Sequence, residues 1–141
     1  MSGEKSIAKL LSGMSPSLND GDYVFCCIAD MDLVKGEEVL GSFREKEGLT
    51  VIIERSRALA LGLDFDYVVA WITLTVHSAL DAVGLTAAFA TALGNAGISC
   101  NVIAAYYHDH IFVGREDAQR AIEVLEALAR SEAGPIESPP V

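Results

Sequence analysis

Long apolar runs are missing from this chain. The most apolar stretch, residues 67–76, is too short to span a bilayer and has polar flanks. Met1 to Leu10 lacks the apolar core of a signal peptide. Both absences point to the cytoplasm. Basic residues are few: 10 Lys and Arg stand against 20 Asp and Glu, giving a net charge of −10. No basic stripe interrupts that balance, which argues against nucleic acid and anionic lipid as partners. Cysteine is limited to Cys26, Cys27 and Cys100. Cys26 and Cys27 are neighbours in a strand-like run, so they point to opposite faces and do not bridge each other. No Cys-x-x-Cys spacing exists to support a zinc or redox site, and the three read as reduced, core-type thiols. There is no glycine-rich phosphate loop either; Gly94-Asn95-Ala96-Gly97 is a helix end.

What is present is apolar content and turn chemistry. About half the residues (51%) are hydrophobic, ample for a core in 141 residues, whether one compact domain or two very small ones sharing it. Residues 4–13 carry Ile7, Leu10 and Leu11 on one helical face, with Gly13 as a stop. Pro16, Asn19, Asp20 and Gly21 mark a turn region. Residues 22–29 read as a buried strand, and 30–38 as a polar loop. Residues 39–45 and 49–54 read as a hairpin turning at Gly48, which can take positive φ. A short helix over 55–62 follows, with Ser56 as N-cap and Gly62 as stop.

A second set begins at residue 67. Val68, Ala70, Ile72, Leu74 and Val76 alternate with Trp71, Thr73, Thr75 and His77, so one strand face packs on helices. The other, amphipathic face suits a second sheet or subunit. Leu85, Phe89 and Leu93 stripe a helix over 85–96. A hairpin over 101–107 and 110–113 turns through Tyr107-His108-Asp109-His110. A last helix, about 116–130, buries Ala118, Ile122, Leu125 and Ala129, with Arg120 placed to pair with Glu116 or Glu123. Residues 131–141 hold three of the four prolines and read as a disordered tail.

Residues 48–63 and 109–125 share one pattern: second hairpin strand, polar start, short helix. The chain therefore reads as two related lobes, 1–64 and 65–130, the first abbreviated because it lacks a helix after its opening strand. Each lobe alone would leave sheet edge exposed, so the two are expected to share one antiparallel sheet.

The residues Ala70-Trp71-Ile72-Thr73-Leu74, Ser78 to Thr86 with its Gly84, Gly97-Ile98-Ser99 and Tyr106 to Ile111 resemble the ACT domain. The nearest likeness is to small double-ACT bacterial proteins and to the ACT repeats of CASTOR-type amino-acid sensors. The resemblance implies an α+β, ferredoxin-like fold with helices on one face of the sheet. It also implies a non-enzymatic regulatory protein that binds an amino acid or similar small ligand between ACT units, either as a free-standing sensor or as a subunit acting on an enzyme partner in trans. No cofactor is expected, and Trp71 on the less apolar strand face, together with the pairing habit of ACT units, points to a homodimer.

Candidate site residues follow from local chemistry and from that resemblance. The loop Asp81-Ala82-Val83-Gly84-Leu85 leads into a helix, whose free amides and positive dipole end suit an α-carboxylate. Gly84 permits close approach, and Asp81 can receive an ammonium or merely cap the helix. In an ACT pair the opposing wall is Asn101-Val102-Ile103; Asn101 also suits a strand-entry turn. Asp109 either caps the hairpin turn or, as in the arginine-sensing relatives, contacts ligand. His108 and His110 lie two apart, on one side of a strand, and only His77 could add a third imidazole, so no metal site is expected. Two other function classes remain: a dimeric interaction module without a ligand, and a small ferredoxin-like enzyme using His108, Asp109 and His110.

Overall fold

The computed structural model describes residues 6–76 and 84–133. It contains seven strands and four α-helices among those residues: α1 (Ile7–Ser12), β1 (Ser15–Leu18), β2 (Tyr23–Ile28), β3 (Gly41–Glu45), β4 (Gly48–Glu54), α2 (Arg55–Leu61), β5 (Val68–Thr75), α3 (Leu85–Asn95), β6 (Asn101–Ala104), β7 (Asp109–Gly114) and α4 (Ala118–Ala133). The hydrogen-bonded path through the strands is β3-β4-β2-β5-β7-β6, with β1 also on β5, and the β1–β5, β2–β4, β2–β5, β3–β4 and β6–β7 pairs are antiparallel. The α+β expectation therefore holds.

Two compact units divide the chain: Asp20–Ala70, and Met1–Asn19 with Trp71–Val141. In the first, β2 opens the unit. It pairs with β4 from Tyr23↔Glu54 to Ile28↔Leu49, and β4 pairs in turn with β3. The unit closes when the start of β5 lies on β2 through Tyr23↔Val69 and Val24↔Val68. By order of appearance these strands lie fourth, first, third, second, which is the ferredoxin-like order. Val24, Cys26, Ile28, Val51, Ile53 and Ala58 form the core of this unit. The alternation of β2 puts Cys26 in that core and leaves Cys27 exposed, as period two requires. No α-helix follows β2. Two single 3-10 turns, Met31–Leu33 and Gly36–Glu38, take its place, so this lobe is abbreviated as expected.

The second unit repeats the order. β5 opens it, β6 and β7 form its hairpin, and its fourth strand is β1, which runs Ser15↔Thr75 to Leu18↔Ile72 along β5. The expected turn at residues 16–21 is therefore a strand as far as Leu18; Asn19 follows it with its backbone N–H on Trp71 O at 2.9 Å. Four residues containing one proline carry too little pattern to read as a strand, and β5 supplies the pairing that makes them one. Ala70, Ile72, Leu74 and Val76 are buried, as are Phe89 and Leu93 of α3 and Ala121 and Leu125 of α4. Leu10 and Leu11 of α1 are each 3% exposed, and α1 packs against α4.

Several local expectations are corrected. Ser56 does not cap α2; the N-cap is Glu54, without a side-chain bond. Ala121 is buried more deeply than Ile122. Arg120 pairs with Asp117 rather than Glu116 or Glu123, and its second nitrogen bonds Ala96 O at 3.1 Å, closing the end of α3. The last helix runs on to Ala133. Beyond it, the expected disordered tail lies outside the described residues. Among the described residues no helix is long and apolar enough to cross a membrane.

Candidate ligand site

The first expected site element is only half in view. Asp81, Ala82 and Val83 lie outside the described residues, as do His77 and Ser78. Gly84 is described, and its backbone is left-handed (φ +97°), which explains glycine at this position. It is the N-cap of α3 without a side-chain bond, so the first amides of the helix have no side-chain acceptor from the cap. A Cβ on Gly84 would stand 3.5 Å from the Ile7 side chain, an ordinary contact. Leu85 is 4% exposed. Its side chain belongs to the core, so only its backbone N–H can meet a ligand.

The opposing-wall residues sit on β6, which ends the strand path and so has one edge unpaired among the described strands. Asn101 and Ile103 are exposed and share a face; Val102 is half-buried on the other. Asp109 departs from expectation. It is the first residue of β7, opposite Ala104, and the turn is made before it by Ala105 N–H bonding His108 O at 3.0 Å. It therefore does not cap the turn. Burial pushes its carboxyl pKa up, partly offset by His110 and His108.

His110 faces the side of the sheet that carries Trp71. The Trp71 indole Nε1–H donates to His110 Nδ1 at 3.0 Å, and Thr73 Oγ1 lies 3.1 Å from the same nitrogen. Asn19 Nδ2 donates to Thr73 Oγ1 at 2.9 Å and to Trp71 O at 3.2 Å. Indole is a donor only, so His110 Nδ1 carries the lone pair and the ring proton sits on Nε2. From Trp71 the rings continue through His110 and His108 to Tyr107 and Tyr106, with centroid spacings of 5.8, 6.4, 6.5 and 4.9 Å. Among the described residues no group of three metal-ligating side chains forms. Nor does a cysteine nucleophile find support. Burial raises the Cys26 pKa, with Asp64 adding to it, and burial pushes Cys100 up to about 11.

Sequence reasoning missed two features. One is the Asn19 link, because Asn19 looks like any turn residue until β1 is known to be a strand. The other is an open groove of about 470 Å³ in the Asp20–Ala70 unit, lined by Tyr23, Glu37, Glu38, Val39, Leu40, Glu54, Ser56 and Arg57. Arg57 Nε meets Glu38 Oε1 there in an ion pair, and Glu38 Oε2 accepts the Lys35 N–H at 3.0 Å. That bond is the main cause of the lowered Glu38 pKa; burial opposes it, and Arg57 and the Lys35 charge add to the lowering. The only signal in sequence was the dense charge of 35–38, which reads equally as a solvated loop.

Comparison with known proteins bears on this geometry. Models of the ACT domain match residues 2–70 and residues 68–127. No functionally curated protein matches the chain. Among solved structures, a Vibrio cholerae protein of unknown function, described as a possible transport protein, is 51% identical. The match covers 89% of this chain and 97% of that one, with a TM-score of 0.78. The regulatory subunit of aspartate kinase from Thermus thermophilus, in its ligand-free form, matches at 8% identity over 80% of this chain and 95% of its own, with a TM-score of 0.59. An aspartate kinase from Clostridium acetobutylicum matches at 10% identity over 82% of this chain and 34% of its own, also with a TM-score of 0.59. At such identities the kinase likenesses concern the fold alone.

Proposed function

The chain belongs to the ACT-domain family, whose members are regulatory rather than catalytic, and from that premise we propose that it is a stand-alone amino-acid sensor. The supporting observation is the pairing of an uncapped helix start at Gly84 with an unpaired edge at β6. The α3 amides receive the α-carboxylate of the ligand. Asp81 takes the α-ammonium, and Ala82, Val83, Gly84 and Leu85 contribute backbone. Asn101, Val102 and Ile103, from the ACT unit of a second copy, form the facing wall, with Asp109 as an outer contact. The functional unit is then a homodimer in the cytoplasm. Ligand stabilises one arrangement of its units, and that arrangement is read by an enzyme partner in trans.

The test is a thermal-shift panel of the twenty amino acids. A ligand that binds only folded protein, at a hundred times its dissociation constant, adds about 2.7 kcal/mol, a rise of several degrees for a chain of this size. One amino acid giving a dose-dependent rise that Asn101→Ala weakens, with the fold unchanged by circular dichroism, is the expected result. A flat panel would sink the sensor reading. A pairing module without ligand would then be favoured, drawing on Tyr106 and Tyr107, 78% and 77% exposed at the hairpin tip.

A further inference from the structure

The bonds around His110 have a chemical polarity that the ligand reading does not use. Nδ1 of this ring accepts from Trp71 at 3.0 Å and lies 3.1 Å from Thr73 Oγ1, which uses one of its two lone pairs to accept from Asn19. A threonine hydroxyl can donate or accept; an indole N–H can only donate. Adding a proton to Nδ1 therefore has two unequal effects. Thr73 reverses its role and accepts, keeping its link to Asn19. Trp71 has no such option, and two donors would face each other at hydrogen-bond distance.

We propose that His110, Trp71 and Thr73, anchored by Asn19, form an acid-operated latch in which protonation of His110 expels the Trp71 indole N–H while Thr73 holds the ring. The latch joins β5 to β7, and through Asn19 it reaches the point where the chain leaves β1. Its output is the position of the Trp71 side chain on the sheet face bearing Thr73 and His110. Neighbouring charge is sparse. β1, β5 and β6 bring no charged residue, Ile103 stands opposite on β6, and the titratable groups acting on the ring are His108 and Asp109 of its own hairpin. Burial, then His108, lower the His110 pKa below its ordinary 6.5, and Asp109 opposes them. The linkage sign follows. The unfolded chain takes up the proton first, so stability falls as pH drops from about 6.5 towards the lowered value, and below that value it loses nothing more from this group.

The chain has one tryptophan, so indole fluorescence and the indole ¹⁵N–H signal report on Trp71 alone. In the unaltered protein, titrated from pH 8 to 4, the Trp71 response should share one midpoint with the His110 ring signals, below 6.5, while far-UV circular dichroism stays constant. His110→Gln should abolish the response and His108→Gln should keep it. Trp71→Phe removes the donor that opposes protonation, so the His110 midpoint should rise towards 6.5. An indole response that persists in His110→Gln, or a His110 midpoint unmoved in Trp71→Phe, would overturn the latch. So would different midpoints for the two groups in the unaltered protein, a measurement that needs no substitution.

Discussion

Gly48 shows how much one missing side chain can matter. Its φ of +154° is a conformation that L side chains rarely adopt, and a Cβ there would stand 2.6 Å from Cys27 Sγ and 3.2 Å from Ile28 O. The exposed Cys27 side chain can rotate away but the Ile28 carbonyl cannot, so strain and one tight backbone contact add, and Gly48→Ala should cost roughly 2–3 kcal/mol. Gly97 is the control. It too has positive φ (+77°), but nothing lies within 4 Å of its absent Cβ, so Gly97→Ala should cost only about 1–2 kcal/mol. Urea unfolding of the two variants decides whether contact or conformation dominates. Asp109 offers a second test of environment. Because burial raises its pKa above the ordinary 3.8, the folded chain holds the proton to higher pH than the unfolded chain does. Its favourable contribution is complete below 3.8 and is lost as pH rises through the raised value. Asp109→Asn should therefore be more stable than the parent at pH 7 and indistinguishable from it in strong acid. If ligand affinity drops in the same variant, stability has been given up at that position for binding.

At the scale of elements, α1 and the end of α3 make the sharpest statements. Leu11 lies near the N-terminus, yet it is 3% exposed and its helix packs on α4, close to the other end of the described chain. Leu11→Ala should destabilise the unit that contains Trp71 by about 2–4 kcal/mol, read as a lower urea midpoint of Trp71 fluorescence. Arg120 ties the Ala96 carbonyl at the end of α3 to Asp117 at the start of α4. It is half exposed, so Arg120→Ala should cost no more than about 1 kcal/mol. Most of these elements were legible in sequence: the stripe Leu85, Phe89, Leu93 and the alternation along 68–76 both carry a clear period. What was not legible depended on partners distant in the chain. Four residues at 15–18 become a strand only because residues 72–75 offer an edge, and Arg120 chooses Asp117 because the carbonyl of Ala96 fixes where the guanidinium sits. The candidate site was legible to a lesser extent. The glycine at the helix start and the edge strand were readable from residue type and order, whereas the left-handed backbone of Gly84 came only with the structure. The role of Asn19 was not, since its partners lie more than fifty residues away.

For the molecule as a whole, β5 is the decisive piece. Its first residues are the closing strand of one unit, and its remaining residues are the opening strand of the other. A strand used twice cannot be lost from one unit without disturbing the other. Unfolding should therefore be a single transition: Trp71 fluorescence, from the split unit, and the unmasking of the buried Cys26 thiol, from the Asp20–Ala70 unit, should give the same urea midpoint. Two separated midpoints would show that the strand breaks at Ala70 and that the units are energetically independent. The same strand order also sets a schedule during synthesis. Residues 20–70 hold every strand of their unit, so that unit can close as soon as Ala70 has cleared the ribosome. β1 emerges earlier still, but its pairing edge, residues 72–75, is translated only after that whole unit has been made. Until then β1 waits unpaired, which makes it, during synthesis rather than in the finished protein, a segment in need of a chaperone.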